Sequence, residues 1–420
     1  MTEVHGGTTS GRVVVVGAGL AGAKTAEALR ERGFAGEVVL LGAEAERPYE
    51  RPPLSKGYLT GSDEREQAFV HEPGWYAAHD VELRTGVTVT RVDRGAREVH
   101  DDGGGRTAYD HLVLATGSQP RRLPLPGSDA FVTLRTLDDS DRLRTRLAEV
   151  GAAGGRAVVV GGGWIGLEVA AAARGYGCEV SVLVREEAPL LAVLGERMAG
   201  LFAGLHRANG VDLRTLVEVG SVEPDGSGGA RLGLTDGTQL VAALVVVGIG
   251  AAPRTALARD AGLAVAADGG VEVDAHLRTS DPRVLAVGDV AAVAHPFLGA
   301  RVRVEHWDTA LHHGETVAAT VLGHDEPYDR LPYFFTDQYD LGMEYTGWVG
   351  PDGYDEVVVR GDETARELVA FWLRGGRVLA GMNVNVWDVV DDVQALVRSR
   401  AVVPVERLAD PGVPLRDLLP

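Results

Sequence analysis

The chain has 420 residues, more than one hydrophobic core usually organises, so two or three domains are expected, and its 45% hydrophobic content is that of an ordinary soluble globular protein. The 60 acidic residues against 41 basic ones give a formal net charge of −19, which opposes binding to nucleic acid or to an anionic membrane surface and leaves small molecules and proteins as the expected partners. The longest apolar stretch, residues 242–252, is broken by Gly248 and Gly250 and is too short to cross a bilayer; residues 1–10 carry neither the basic nor the apolar part of a leader, so a cytoplasmic location is the default expectation.

Residues 13–16 form a short β-branched run that ends at Gly17, and Gly17, Gly19 and Gly22 follow with G-x-G-x-x-G spacing around Leu20 and Ala21. A helical segment then covers 21–32. Such a loop lets the backbone turn tightly and approach a pyrophosphate, whose charge is held by the amides at the helix start. A second strand at 37–41 follows. The acidic residue that would bond an adenosine ribose belongs at its end, where Glu44 fits and Glu46 is its rival. Prolines at 48, 52 and 53 keep residues 47–56 out of any helix interior, so this segment is expected to be a loop of fixed shape. Alternating segments lead to a strand at 111–115, closed by Thr116 and Gly117, after which residues 120–126 look like a crossing into another domain.

A second strand, loop and helix begin at Arg156, with the run 157–160, the glycines Gly161, Gly163 and Gly166, a helix at 165–174 and a strand at 179–184. Two copies of the loop in the same context imply two nucleotides. Val184 is followed by Arg185 and only then by Glu186 and Glu187. An arginine here tolerates a 2′-phosphate, whereas either glutamate serves a free ribose, so NADH and NADPH both stay open. The one cysteine, Cys178, reads as packing beside a strand and agrees with a reducing compartment. Residues 211–237 read as strands joined by turns at 225–229 and 236–237. The runs at 244–247 and 284–287 end in Gly248-Ile249-Gly250 and Gly288-Asp289 and resemble strands returning to the first domain. From Tyr328 onward the pattern is aromatic and antiparallel.

The fold class is therefore α/β, with two Rossmann-like dinucleotide-binding domains and an α+β C-terminal domain. The boundaries expected are 1–121 and 248–326 for the first domain, 122–247 for the second, inserted domain, and 327–420 for the third.

The two glycine loops, Arg-Pro-Pro-Leu-Ser-Lys at 51–56, Ala-Thr-Gly at 115–117, Leu-Arg-Thr-Leu-Asp-Asp at 134–139, Gly-Asp at 288–289 and Asn-Val-Asn-Val-Trp-Asp at 383–388 occur in an order that resembles the FAD-dependent ferredoxin reductases of dioxygenase and haem-monooxygenase systems. The resemblance covers nearly the whole chain. It implies a glutathione-reductase-like fold with FAD on the first loop and NAD(P)H on the second. Asp289 would bind the ribityl chain and Arg51, Lys56 and Arg135 would contact the flavin nucleotide. Val89 would lie near its adenine end and Trp307 against its ring. Lys56 and Glu168 would form an ion pair on the nicotinamide side. Gly17, Gly19, Leu20, Ala21, Gly22 and Glu44 would belong to the flavin loop and its following strand, Gly161, Gly163, Ile165, Gly166, Val184 and Arg185 to the nicotinamide loop and its following strand, and Ala115, Thr116, Gly117, Gly250 and Gly288 would be further cofactor-binding residues.

A disulfide reductase of this fold would carry a cysteine pair after its first βα unit, where this chain has Pro52, Pro53, Leu54 and Lys56. Electrons must then leave the flavin directly. The acceptor implied is a transient ferredoxin-type iron-sulfur protein feeding an oxygenase; the alternative is a reductase of a small acceptor such as oxygen, a quinone or a nitrite system. For an acidic ferredoxin, Arg301, Arg303, Arg51 and Lys56 are expected to form a basic rim at the flavin mouth. His306, His312 and His313 lack a further ligand pattern, and no metal is expected.

Overall fold

A computed structural model describes residues 10–420, so the reading of the chain start as lacking a leader falls on residues 1–9, which lie outside the described residues. The chain divides into two compact units.

The first unit comprises residues 10–50, 65–119 and 252–332. Its centre is a five-stranded parallel sheet in the order Val284–Ala286, His111–Leu114, Arg12–Val16, Glu37–Leu41, Val81–Arg84. Val13, Val14 and Val15 have no exposed surface, as expected of a strand covered on both faces, where an unbroken apolar run replaces alternation. The helices Leu20–Glu31 and Trp307–Leu322 cross closely. Gly314 makes the crossing feasible, since a Cβ there would stand 2.5 Å from the carbonyl oxygen of Lys24. Two small three-stranded sheets complete the unit, one of Val89–Asp93, Glu98–Asp101 and Arg106–Ala108, the other of Val271–Val273, Ala291–His295 and Ala300–Val302.

The second unit comprises Arg51–Glu64, Pro120–Ala251 and Tyr333–Pro420. It holds a four-stranded parallel sheet in the order Asp212–Thr215, Glu179–Val184, Arg156–Val160, Leu244–Val247, beside an antiparallel sheet of Val219–Pro224, Ala230–Leu234 and Gln239–Ala242. The C-terminal portion is a five-stranded antiparallel sheet in the order Tyr333–Gln338, Leu341–Gly347, Arg377–Val384, Glu367–Arg374, Glu356–Asp362, with the helix Val390–Ser399 against it. Trp372 is fully buried there and donates its indole N–H to the Leu194 carbonyl at 3.2 Å.

Two expectations are corrected. The run 244–247 does not return to the first sheet: it pairs in parallel with Arg156–Val160. Only the run near 284 returns, alongside His111–Leu114. Both are continuous apolar strands, and nothing local in such a run encodes which parallel neighbour it takes. The proline segment is also more regular than a loop. Pro52–Ser55 is a turn of 3₁₀ helix with proline at its first positions, where the missing N–H costs nothing, and Gly57–Thr60 continues as a short helical turn.

Candidate active site

The glycines of the two loops divide their roles in the same way. Gly17 and Gly161 have φ of +117° and +113°, and a Cβ on either would meet a carbonyl oxygen, that of Ala115 at 2.1 Å or that of Gly248 at 2.4 Å. Gly22 and Gly166 let the helix close on its own loop, with a Cβ 2.0 Å from the Gly17 oxygen and 2.4 Å from the Gly161 oxygen. The middle glycines differ. A Cβ on Gly19 meets no protein atom within 4 Å, and on Gly163 only the Gly248 oxygen, at 3.9 Å. Packing therefore leaves room for a side chain at 19 and 163, so the fold itself does not demand glycine at either position. The helices Leu20–Glu31 and Trp164–Gly175 begin at these glycines with no side-chain cap and no acidic residue in the first turn, as an anion held by first-turn amides requires.

In the first unit Gly288, at φ +68°, donates its amide to His313 Nδ1 at 3.1 Å and lies against Ala21, which a Cβ on Gly288 would approach to 3.0 Å. Asp289 follows in the same 3₁₀ turn. The Thr116 hydroxyl donates to the Arg254 carbonyl at 2.7 Å and the Arg254 amide to the Gly117 carbonyl at 2.8 Å, so residues 115–117 are fixed beside Gly17. Glu44 accepts from the Tyr49 hydroxyl, whereas its rival Glu46 pairs with Arg65 at 2.8 Å. Val89 is buried at the start of its strand. The Trp307 indole N–H donates to Glu50 Oε2 at 3.0 Å, and burial raises the Glu50 carboxyl above its ordinary pKa.

In the second unit Arg51 donates to the Arg135 carbonyl, and the Arg135 amide donates to Asp139 Oδ2 at 3.1 Å. Val184 is buried at the strand end, and Arg185, largely exposed, pairs with Glu186 at 3.0 Å. Ile165 is nearly half exposed and Gly250 has φ +92° with no protein atom near its Cβ position. Lys56 and Glu168 meet: Nζ lies 2.7 Å from Oε1, with the glutamate side chain 2% exposed. Glu168 also accepts from the Ser55 hydroxyl at 2.5 Å and the Thr336 hydroxyl at 2.6 Å, and the Lys56 ammonium stands 5.2 Å from the centre of the Phe335 ring. Burial raises the pKa of the neighbouring Asp337, with Lys56 opposing and Glu168 and Glu344 adding to the rise.

Ser55, Thr336 and Phe335 were not anticipated, because neither a donor to Glu168 nor a ring beside Lys56 has a local sequence signature. Arg301 and Arg303 do not form the expected basic rim. Arg301 donates to the carbonyls of Val273 and Ala292 and pairs with Glu272 at 3.5 Å; Arg303 pairs with Asp268 at 3.4 Å and Glu305 at 2.5 Å. Both charges are matched by carboxylates of neighbouring strands and turns. His306 caps the helix Trp307–Leu322 by accepting from the Asp308 amide, and His312 pairs with Asp308 at 3.0 Å. Among the described residues no cluster of histidine, cysteine and carboxylate side chains is arranged to hold a metal ion. Cys178 is buried, its pKa raised by that burial, and its thiol donates to the Leu147 carbonyl at 3.4 Å.

The pyridine nucleotide-disulphide oxidoreductase profile matches residues 11–314, and the reductase C-terminal profile matches residues 333–419. The chain belongs to the pyridine nucleotide-disulphide oxidoreductase family. Similar proteins include the ferredoxin–NAD(+) reductase component of an anthranilate 1,2-dioxygenase system from Burkholderia cepacia, 39% identical over 97% of this chain and 98% of the relative. Putidaredoxin reductase of Pseudomonas putida is 37% identical over 97% of this chain and 96% of its own. The reductase in the crystal structure of a covalent putidaredoxin reductase–putidaredoxin complex superimposes with a TM-score of 0.91 at 36% identity, covering 97% and 98% of the two chains. These bear out the resemblance to ferredoxin reductases of oxygenase systems. Unlike the disulphide enzymes for which the family is named, this member has a single cysteine. No helix among the described residues is long and apolar enough to cross a membrane.

Proposed function

We propose that the chain is an NAD(P)H:ferredoxin oxidoreductase that passes electrons to an iron-sulfur protein serving an oxygenase. The observation that carries this reading is the pairing of two anion-ready glycine loops with one buried, hydrogen-bonded cysteine, which leaves no thiol to relay electrons onward. The near full-length likeness to ferredoxin reductase components directs the choice of acceptor.

In this reading FAD belongs to the first loop. Gly17, Gly19, Leu20, Ala21 and Gly22 hold its pyrophosphate, Glu44 its ribose and Asp289 its ribityl chain, while Val89 flanks the adenine and residues 115–117 and Gly288 shape the floor. Arg51, Arg135 and Trp307 are the remaining flavin residues. The nicotinamide nucleotide belongs to the second loop, through Gly161, Gly163, Ile165 and Gly166, with Val184 and Arg185 at its adenosine end and Gly250 beside it. Bound FAD supplies the capacity to take an electron pair from the nicotinamide and release it singly. The chain supplies orientation and charge: Lys56 presents an ammonium held by Glu168, Ser55 holds the second carboxylate oxygen, and the buried setting strengthens each interaction.

The test is a stopped-flow comparison of acceptors. Enzyme reduced by a nicotinamide nucleotide and mixed anaerobically with a small iron-sulfur ferredoxin should reoxidise rapidly, and far more slowly with dissolved oxygen. Rapid oxygen consumption with no reduction of ferredoxin would refute the proposal.

A further inference from the structure

The Glu168 carboxylate is the end of a buried line of hydrogen bonds whose other members lie far from it in sequence. Thr336 Oγ donates to Glu168 Oε1 at 2.6 Å, Gln338 Nε2 donates to Thr336 Oγ at 3.1 Å, His206 Nε2 lies 2.9 Å from Gln338 Oε1, and the Tyr339 hydroxyl lies 3.4 Å from His206 Nδ1. Thr336, Gln338 and His206 are at most 1% exposed.

Connectivity fixes the direction of every bond. A threonine hydroxyl has one proton, used on the carboxylate, so its oxygen needs a donor, and the Gln338 amide nitrogen must face it. The amide oxygen then faces His206, which must carry its proton on Nε2. Nδ1 is left as an acceptor for Tyr339. Burial lowers the His206 pKa below its ordinary value, in keeping with a neutral ring that donates from one nitrogen and accepts at the other. The dipoles thus run head to tail toward Glu168, the arrangement in which hydrogen bonds polarise one another.

The geometry points to Thr336, Gln338 and His206 as positioning residues for the reduction step: acting through Glu168, they hold the Lys56 ammonium in the orientation that the step needs. This inference rests on the function proposed above. The strand Tyr333–Gln338 supplies Thr336 and Gln338 from one face, two residues apart, and the helix Leu191–Ala208 supplies His206 near its last turn. Without Gln338 the Thr336 hydroxyl regains freedom to rotate off the carboxylate, and Glu168 loses a contact that fixes its orientation toward Lys56.

The experiment uses FAD-loaded protein, with NADH and NADPH as reductants in anaerobic stopped flow. Gln338→Leu should lower the limiting rate of flavin reduction at least about tenfold, the scale of a sub-ångström misplacement of a reacting group, while the nucleotide dissociation constant changes less than about threefold. Gln338→Leu combined with His206→Phe removes both buried polar partners, so thermal stability should recover but the rate should not, because Thr336 still lacks its donor. His206→Phe alone should slow reduction, whereas His206→Gln, which keeps an amide N–H toward Gln338, should stay within about twofold of wild type; equal rates for the two would count against the inference. A Gln338→Leu rate within twofold of wild type, or a double variant that regains rate together with stability, would overturn the inference and leave the proposed function intact. Wild-type protein that neither nucleotide reduces would overturn both.

Discussion

Alanine at the middle glycine of the second loop separates a requirement of folding from a requirement of binding. At Gly166 a Cβ would stand 2.4 Å from the Gly161 carbonyl oxygen, a backbone atom that cannot move aside, whereas at Gly163 the nearest atom would be 3.9 Å away. Gly163 also has φ −82° and ψ 175°, which alanine adopts without strain. Gly163→Ala should therefore change apo stability by no more than about 1 kcal/mol, the loss of a glycine N-cap being partly offset by a stiffer unfolded chain. On the proposed assignment of this loop, its methyl group would occupy the space that a pyrophosphate needs to reach the helix amides. Losing one hydrogen bond to a charged oxygen costs roughly 1.5–3 kcal/mol, and at about 1.4 kcal/mol per factor of ten the nucleotide dissociation constant should rise roughly 10- to 150-fold. Gly166→Ala should lower the thermal midpoint sharply, with or without nucleotide. The assay is a nucleotide titration of FAD-loaded protein, with thermal unfolding of each variant. Unchanged nucleotide affinity in a folded Gly163→Ala protein would refute the assignment of this loop.

Glu168→Leu leaves Lys56, Ser55 and Thr336 without their common acceptor and should cost about 3–5 kcal/mol, as when a buried ion pair loses one partner; denaturation of the apo-protein measures this, and a loss under 1 kcal/mol contradicts it. Burial pushes the His313 pKa down to about 3, so between there and the ordinary value near 6.5 the unfolded chain binds a proton that the folded chain refuses. Its stabilising effect is whole above about pH 6.5 and declines toward acid by about 1.4 kcal/mol per pH unit, with His71, His111 and His206, also lowered by burial, adding to the slope. His313→Gln should make the fall in stability between about pH 6 and 5 shallower by one proton's worth, and an unchanged slope would show that His313 titrates normally. Cys178→Ala should leave the rate of reduction by NADH or NADPH within twofold; a collapse in rate with the fold intact would mean that sulfur takes part.

The two loops were legible because their glycines answer local demands: a β-branched strand must turn at Gly17 and Gly161, and the helix that follows must close on that turn. The Lys56–Glu168 contact was expected only from the family pattern, since the two residues are 112 apart and nothing near either specifies the other. Thr336, Gln338 and His206 carry no pattern at all. Each is an ordinary polar residue on a strand or helix, and only the tertiary arrangement turns them into one line of donors. Parallel strand order was hidden for the same reason, which is why the run 244–247 was assigned to the wrong sheet. Arg301 and Arg303 looked like a positive surface because two of the carboxylates that meet them, Glu272 and Asp268, come from about 30 residues earlier in the chain, while the local one, Glu305, gives no sign in the sequence that it folds back on Arg303.

Anaerobic titration of the purified protein with NADH and, separately, NADPH bears most directly on the whole account. The preparation should be yellow, with one FAD per chain, and one equivalent of at least one of the two nucleotides should remove that colour completely with Cys178 replaced as well as intact. A colourless protein that takes up no FAD, or a flavin that keeps its colour in excess of both nucleotides, would contradict it.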